Sequence, residues 1–245
     1  MRELILSDIT VMGPGYCVIG LERVAGDCYR SVRPMPPWGF AWREPFPFKR
    51  GDRVHAQCRP TTAPRPHVED QQSSGLSGTG SSLAEDDLIE CLKNAEVSQD
   101  LEHLFDCPVQ PSPRGGRALC VTPQDAKRSI CGCEFSNLRF RVFPEPGGFT
   151  LRAEIILSSN ERLSSIPIVD REWQWFVGKL LQRIRRSDPL PLAERFLNWS
   201  VRNKLFAMPQ RFARIGLPRP QGDQPCWLML DSLFPQPQEC WLDLL

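Results

Sequence analysis

Twenty-four of the 245 residues are proline, about twice the usual share, and they are scattered from Pro14 to Pro237. Each proline removes a backbone donor and locks φ, so helical stretches are few and the runs between prolines have to supply strands. The runs "GYCVIGLERV", "CYRSVRP" and "DRVHAQCRP" fit that demand: they are short, rich in β-branched and aromatic residues, and punctuated by Gly26-Asp27 and Gly51-Asp52. Gly26-Asp27 predicts a hairpin turn within a meander of three or four strands. The fold class expected is mainly β with helical insertions, α+β.

Beyond this first lobe, residues 1–66, lies "QQSSGLSGTGSS", a Gly/Ser/Gln tract whose only large side chain is Leu76. Such a tract buries too little surface to order itself, so 67–85 is expected to be a flexible linker. "SLAEDDLIECLKNAE" then reads as a helix with Ser82 as N-cap, Glu85 in a capping box and Leu88, Leu92 and Ala95 at helical spacing. A second short helix is expected from Ser98 through Leu104, giving an acidic helical segment over 86–128. The β pattern returns over 129–245. "CEFSNLRFRVF" and "FTLRAEIIL" alternate around Gly147-Gly148, the strongest hairpin signal in the chain. "ERLSSIPIVD" adds a strand. Asp170 then caps a helix over 171–186, with Trp173, Phe176, Leu180 and Ile184 on one face and Arg183, Arg185 and Arg186 in its last turn, where cations suit the helix dipole. The C-terminal part reads as a strand, a Pro/Gly loop, the strand "CWLML", a turn at Pro235–Pro237 and a short terminal strand.

The net charge of +1 hides a division. Residues 1–65 hold ten basic and six acidic residues, 66–110 one and ten, and 111–245 nineteen and thirteen. Two basic lobes facing a polyanion would use this pattern, and so would an acidic segment that covers the protein's own basic faces. With 41% apolar residues the chain can build a core without staples, and no apolar run approaches the ~20 residues of a membrane-spanning helix. No signal-peptide pattern opens the chain, so a cytoplasmic location and no membrane partner are expected.

Ten cysteines in such a chain are expected to be reduced, mostly buried thiols. Cys131 and Cys133, with Cys107 and Cys120 upstream, are the zinc candidates, but they lack the Cys-x-x-Cys spacing and His55, His67 and His103 form no ligand pattern with them. No metal and no cofactor are expected. His67, Glu69 and Asp70 lie close together as a candidate metal or acid-base site, but their place beside the linker predicts a solvated cluster. No phosphate loop and no nucleophile elbow occur, and no catalytic constellation can be assembled.

A binding surface is easier to build. In a strand over 28–33, Tyr29 and Arg33 lie opposite Cys28 and Val32, whose side chains belong in a core. With Trp38, Phe40 and Trp42 nearby, this mixture of arginine and aromatics suits stacking on bases and contact with phosphates, while the competing view makes "PMPPWGFAWREPFPF" a packed corner over a barrel end. A similar device closes the chain, where Arg219-Pro220 precedes Trp227. Proline after each arginine stiffens its presentation, and a bridge from either arginine to a carboxylate such as Asp27 or Asp223 is the internal alternative.

"GYCVIGLERVAGDCYRSVRPM", "GDRVHAQ", "LRFRVF", "SSIPIVDREW" and "ARIGLPRPQGDQPCWLML" together resemble the dual OB-containing domain family of bacterial proteins. The resemblance implies two OB-like β-barrel lobes, 1–66 and 129–245, and a nucleic-acid or nucleotide ligand, with some members accompanying bacterial conflict systems. It transfers no catalytic residue. The expected function is a non-catalytic binding module, with Tyr29, Arg33, Trp38, Arg219 and Trp227 as ligand-binding candidates. The alternatives are a protein-interaction or scaffolding subunit with a protein partner, and an enzyme with an unrecognised site.

Overall fold

The computed structural model describes every residue except 64, 114, 116, 117, 185, 186 and 223. Arg185 and Arg186, assigned above to a helix end, and Asp223, offered as a bridging carboxylate, thus lie outside the described residues.

The N-terminal half is a barrel. Strands β1 (Arg2–Met12), β2 (Gly15–Ala25) and β3 (Cys28–Met35) form the expected meander, with the turn at Gly26-Asp27. β4 (Trp42–Arg43) is a short edge on β2, and β5 (Asp52–Pro60) and β6 (Asp70–Ser82) complete the sheet. Its order is β1-β5-β6-β3-β2-β4, and because β1 also pairs with β2, five strands close on themselves. Only the β3–β6 pairing is parallel. The arrangement is compatible with an OB-like fold.

The Gly/Ser tract is therefore corrected from linker to strand. β6 pairs with β5 from Asp52↔Ser82 to Pro60↔Gln71, and its first residues also pair with β3. The neighbouring strands satisfy its backbone groups, so it does not need large side chains of its own. Small residues even help. Leu76 packs on the barrel core, while a Cβ on Gly78 would sit 3.3 Å from the Phe48 ring. The first lobe thus runs past residue 66 to take in its fifth barrel strand.

The acidic segment also differs from expectation. One helix, α1 (Glu85–Lys93), starts after Ala84 rather than Ser82, and residues 98–104 form turns instead of a second helix. β7 (Gln110–Pro111) and β8 (Leu119–Val121) follow, and with β13 (Cys226–Trp227) they make a small sheet of order β13-β8-β7. α1 buries Leu88, Ile89 and Leu92 against Ile5 and Leu21 of the barrel and Phe212 and Phe234 of the second lobe. It is a wedge between lobes, with its acidic first turn at the end that the helix dipole favours.

The second lobe is built on the expected hairpin, β9 (Ile130–Glu145) and β10 (Gly148–Leu157), with β11 (Arg162–Pro167), β12 (Phe212–Gly216) and β14 (Met229–Phe234) in the order β11-β10-β9-β12-β14. An isolated parallel bridge, Ile168↔Leu230, brings the chain beyond β11 against β14. Asp170 caps α2 (Arg171–Arg183) as expected, accepting from the Glu172 and Trp173 amides, and Trp173, Phe176, Val177 and Leu180 enter the largest core cluster. Cys131 and Cys133 are buried in that core, and burial pushes the Cys131 thiol up to about 11.

Three further helical pieces were not anticipated: α3 (Leu190–Phe196), a π-helical turn (Leu197–Val201) and α4 (Arg202–Phe206). The terminal segment is a 3-10 helix (Glu239–Leu244) instead of a strand. The layer of α3 and the π-turn has a definite task. β12 pairs only with residues 130–134 of β9, so the edge of β9 beyond them needs other partners. Asn198 supplies them, accepting from the Phe140 amide and donating to the Phe140 carbonyl, both at 2.9 Å, and Glu194 accepts from the Val142 amide at 3.1 Å. No helix among the described residues is long and apolar enough to cross a membrane.

Candidate functional site at the lobe junction

Barrel and second lobe meet along β1 and β14. The Val11 amide donates to the Val169 carbonyl at 2.8 Å, and Thr10 forms a bridge with Asp170. Beside this seam lies a cavity of about 190 Å³, walled by Val11, Met12, Val169, Leu217 and Met229 and edged by Phe40. Its polar lining includes Thr10, Arg33, His67, Arg219 and Asp231.

The parallel register of β3 and β6 sets Arg33 beside Asp70. Arg33 Nη1 donates to Asp70 Oδ1 at 2.8 Å, and Nη2 donates to Ser129 Oγ at 3.0 Å. Arg219 Nη2 donates to the other Asp70 oxygen and contacts Met35 Sδ at 3.0 Å, and its guanidinium lies 4.0 Å from the Phe40 ring centroid. One carboxylate thus holds both arginines of the two Arg-Pro steps, and Asp27, offered as a partner, pairs with Arg23 instead. Behind it, Glu69 accepts from the Ser129 amide and hydroxyl, both at 2.8 Å. The four charges sum to zero but are separated: the carboxylates are inside, and Arg219, 19% exposed, is at the mouth. Its Nε and Nη1 have no partner among the described residues.

His67 is locked in one state. Arg33 Nη1 lies 2.6 Å from Nδ1 and can only donate, so Nδ1 accepts and Nε2–H donates to the Pro218 carbonyl at 3.2 Å. Burial and then the adjacent guanidinium bring its pKa down to about 3. With both nitrogens engaged and the ring neutral, His67 is a strut rather than a proton carrier. The cluster His67, Glu69 and Asp70, expected to be solvated, is instead buried throughout. The Cys17 thiol on the pocket wall is also pushed up by burial.

Asp231 completes the pocket. Its carboxyl packs on the backbone of Gly216, where a Cβ would sit 2.1 Å from Oδ2, so only glycine fits there. Oδ1 has no hydrogen-bond partner among the described residues. Burial first, and then the nearby Asp8 carboxylate, push its pKa up to about 8 against the pull of Arg33 and Arg214. Asp8 itself pairs with the fully buried Arg214 at 3.5 Å, and Arg214 Nη2 donates to Ser31 Oγ at 2.7 Å.

A pH dependence follows from these two shifts. From its ordinary value of 3.8 up to about 8, the unfolded Asp231 carboxyl is ionised and the folded one is not, so its contribution to stability is lost as pH rises. His67 has the opposite sign: its contribution falls as pH drops from 6.5 toward 3. The two oppose each other up to pH 6.5, and above that only the Asp231 loss continues, at up to about 1.4 kcal/mol per pH unit. Urea midpoints of the native protein are expected to fall between pH 6.5 and 8, and Asp231→Asn is expected to flatten that fall. An equal slope in both proteins contradicts the assignment.

Of the five candidates from the sequence, Arg33 and Arg219 meet here and the other three do not. Tyr29 lies against α1, where its amide donates to the Asn94 carbonyl and a hydrogen bond with Cys91 raises its hydroxyl pKa. Trp38 is 55% exposed outside the pocket, with its ring edge on Trp42 and Arg43 over its face. Trp227 lines a different cleft and donates from Nε1 to Ser112 Oγ at 3.3 Å. The proline-rich stretch divides accordingly: Trp42, Phe46 and Phe48 pack on the barrel core, and Trp38 and Phe40 face outward. Phe40, one of the aromatics noted beside Arg33, does reach the pocket, whereas Cys17 and Asp231 were missed.

No protein-family model, no curated protein and no solved structure matches this chain.

Proposed function

We propose that this chain is a non-catalytic binding module of two OB-like lobes, and that the pocket between them takes a nucleotide-type ligand. The observation that carries this reading is Arg219, stacked on Phe40 at the mouth of an apolar cavity, with Nε and Nη1 unengaged among the described residues. A cavity of about 190 Å³ is below the ~300–1,000 Å³ of sites for drug-sized ligands, so it suits one ring system with its charged group left at the mouth. The OB-like reading of the second lobe is supported by its strand order. With the Ile168–Leu230 bridge, β9, β10, β11, β14 and β12 follow one another as β1, β2, β3, β6 and β5 do in the barrel, and the parallel contact falls at the equivalent place.

Isothermal titration with the common ribonucleoside monophosphates and their nucleosides tests the pocket. At least one monophosphate is expected to bind more tightly than its nucleoside, and Arg219→Ala is expected to weaken it at least tenfold, about the loss of one charge-assisted hydrogen bond. The melting temperature should hardly move, because Asp70 keeps Arg33. Absence of binding at millimolar ligand, or unchanged affinity in the variant, sinks the proposal. A second reading, docking of a protein partner, draws on Val11 and Trp175, 42% and 45% exposed, which share a neighbouring cleft with Tyr16 and Arg171.

A further inference from the structure

The groove between β9 and the layer of α3 and the π-turn gathers charges that the fold leaves unused. Arg139, Arg195 and Arg202 line it, together with Pro191, Glu194 and Asn198. The nearby carboxylates are committed elsewhere. Glu194 accepts from Arg141 Nη1 at 2.9 Å and from the Val142 amide, and Glu154, opposite Arg139 across the β9–β10 pair, is ion-paired with Arg162 at 2.5 Å. Among the described residues, the three arginines lining the groove have no ion pair. Like charges held together on rigid elements repel one another, and an anion in the groove removes that repulsion.

Aromatic rings border the same cations. Trp199 stands one helical turn from both Arg195 and Arg202, is 74% exposed and has no ring or cation contact among the described residues. It lies on the π-turn, a geometry that recurs at functional sites. Phe143, 44% exposed, shares the face of β9 that carries Arg139 and Arg141. Guanidiniums in a groove with exposed rings on the flanking elements match a chain of phosphates with bases beside it better than a flat membrane surface, which would call for a broad apolar face.

We propose that this groove binds single-stranded nucleic acid, with Arg139, Arg195 and Arg202 on successive phosphates and Trp199 stacked on a base. The site shares no residue with the lobe-junction pocket, so either can fail without the other.

Fluorescence anisotropy with a labelled single-stranded oligonucleotide, in a series from about 50 to about 200 mM salt, tests it. Three phosphate contacts are expected to give a log–log salt slope near −2. The triple variant Arg139→Gln, Arg195→Gln, Arg202→Gln is expected to weaken binding at least tenfold and to remove most of that slope, with an unchanged circular-dichroism spectrum. Trp199→Ala is expected to cost roughly five- to a hundredfold while keeping the slope, because stacking carries no charge. The proposal is overturned if the native protein does not bind the oligonucleotide at the lowest salt, if the triple variant keeps native affinity and slope, or if anionic phospholipid vesicles bind where the oligonucleotide does not.

Discussion

Asp170→Ala is expected to lower the melting temperature by roughly 8–24 °C. Three jobs meet in this one carboxylate. It caps α2 through the Glu172 and Trp173 amides, it accepts from the Leu233 amide at 2.9 Å, and it pairs with Arg50 at 2.8 Å where both side chains are 1% exposed. Arg50 comes from the barrel and Asp170 from the second lobe, so the pair also fastens the two together. Burial raises the Asp170 pKa, and the Arg50 guanidinium opposes that shift. Breaking one partner of a buried pair costs about 3–5 kcal/mol, and losing an N-cap about 1 kcal/mol more. At roughly 2–4 °C per kcal/mol for a protein of this size, the expected shift follows. Asp170→Asn retains cap geometry but not the charge, so it should fall between native protein and the alanine variant. A loss below about 1 kcal/mol in calorimetry would show that Arg50 finds another partner, and would refute the clasp.

Arg33→Ala should be nearly as damaging, whereas Arg219→Ala should be tolerated, although both arginines hold the same carboxylate. Arg33 is buried and serves Asp70, His67 and Ser129 at once. Its removal leaves His67 Nδ1 without its donor and opens a void beside the barrel, for an expected cost of about 3–5 kcal/mol. Arg219 is partly solvated, and Asp70 retains Arg33 when it is gone, so a loss of about 1 kcal/mol or less is expected. Parallel thermal melts decide this. Equal losses in the two variants would mean that the shared carboxylate, rather than burial of Arg33, sets the energetics. Arg33 is thus primarily an architectural residue, and the ligand-facing role narrows to Arg219.

Much of the second lobe was legible from local pattern. The alternation of Leu138, Phe140 and Val142 with Arg139 and Arg141 places the former in the core and the latter outside, and Asp170 before "REWQWF" signals the start of α2 correctly. α3 has no clear helical signal in the sequence, since Pro189 and Pro191 bracket its start. At the first turn of a helix, where the amides have no intrahelical partner, proline is tolerated. The candidate site was half legible: Arg33 and Arg219 drew notice as Arg-Pro steps, but nothing local points to Asp231 or to the bridge through Asp70.

What the sequence determines by itself are the periods and the turns, since these depend on sterics within a few residues: Val32 points into the barrel, and Gly26-Asp27 reverses the chain. Only the tertiary structure decides which outward faces stay wet. Ser31 and Arg33 lie on the face of β3 opposite Val32, as the alternation requires, yet both are buried because the second lobe covers that face. Likewise, "QQSSGLSGTGSS" has the composition of a linker, and it becomes a strand because β3 and β5 present backbone partners on either side. Burial and backbone pairing are properties of neighbours, and for these residues the neighbours come from distant parts of the chain.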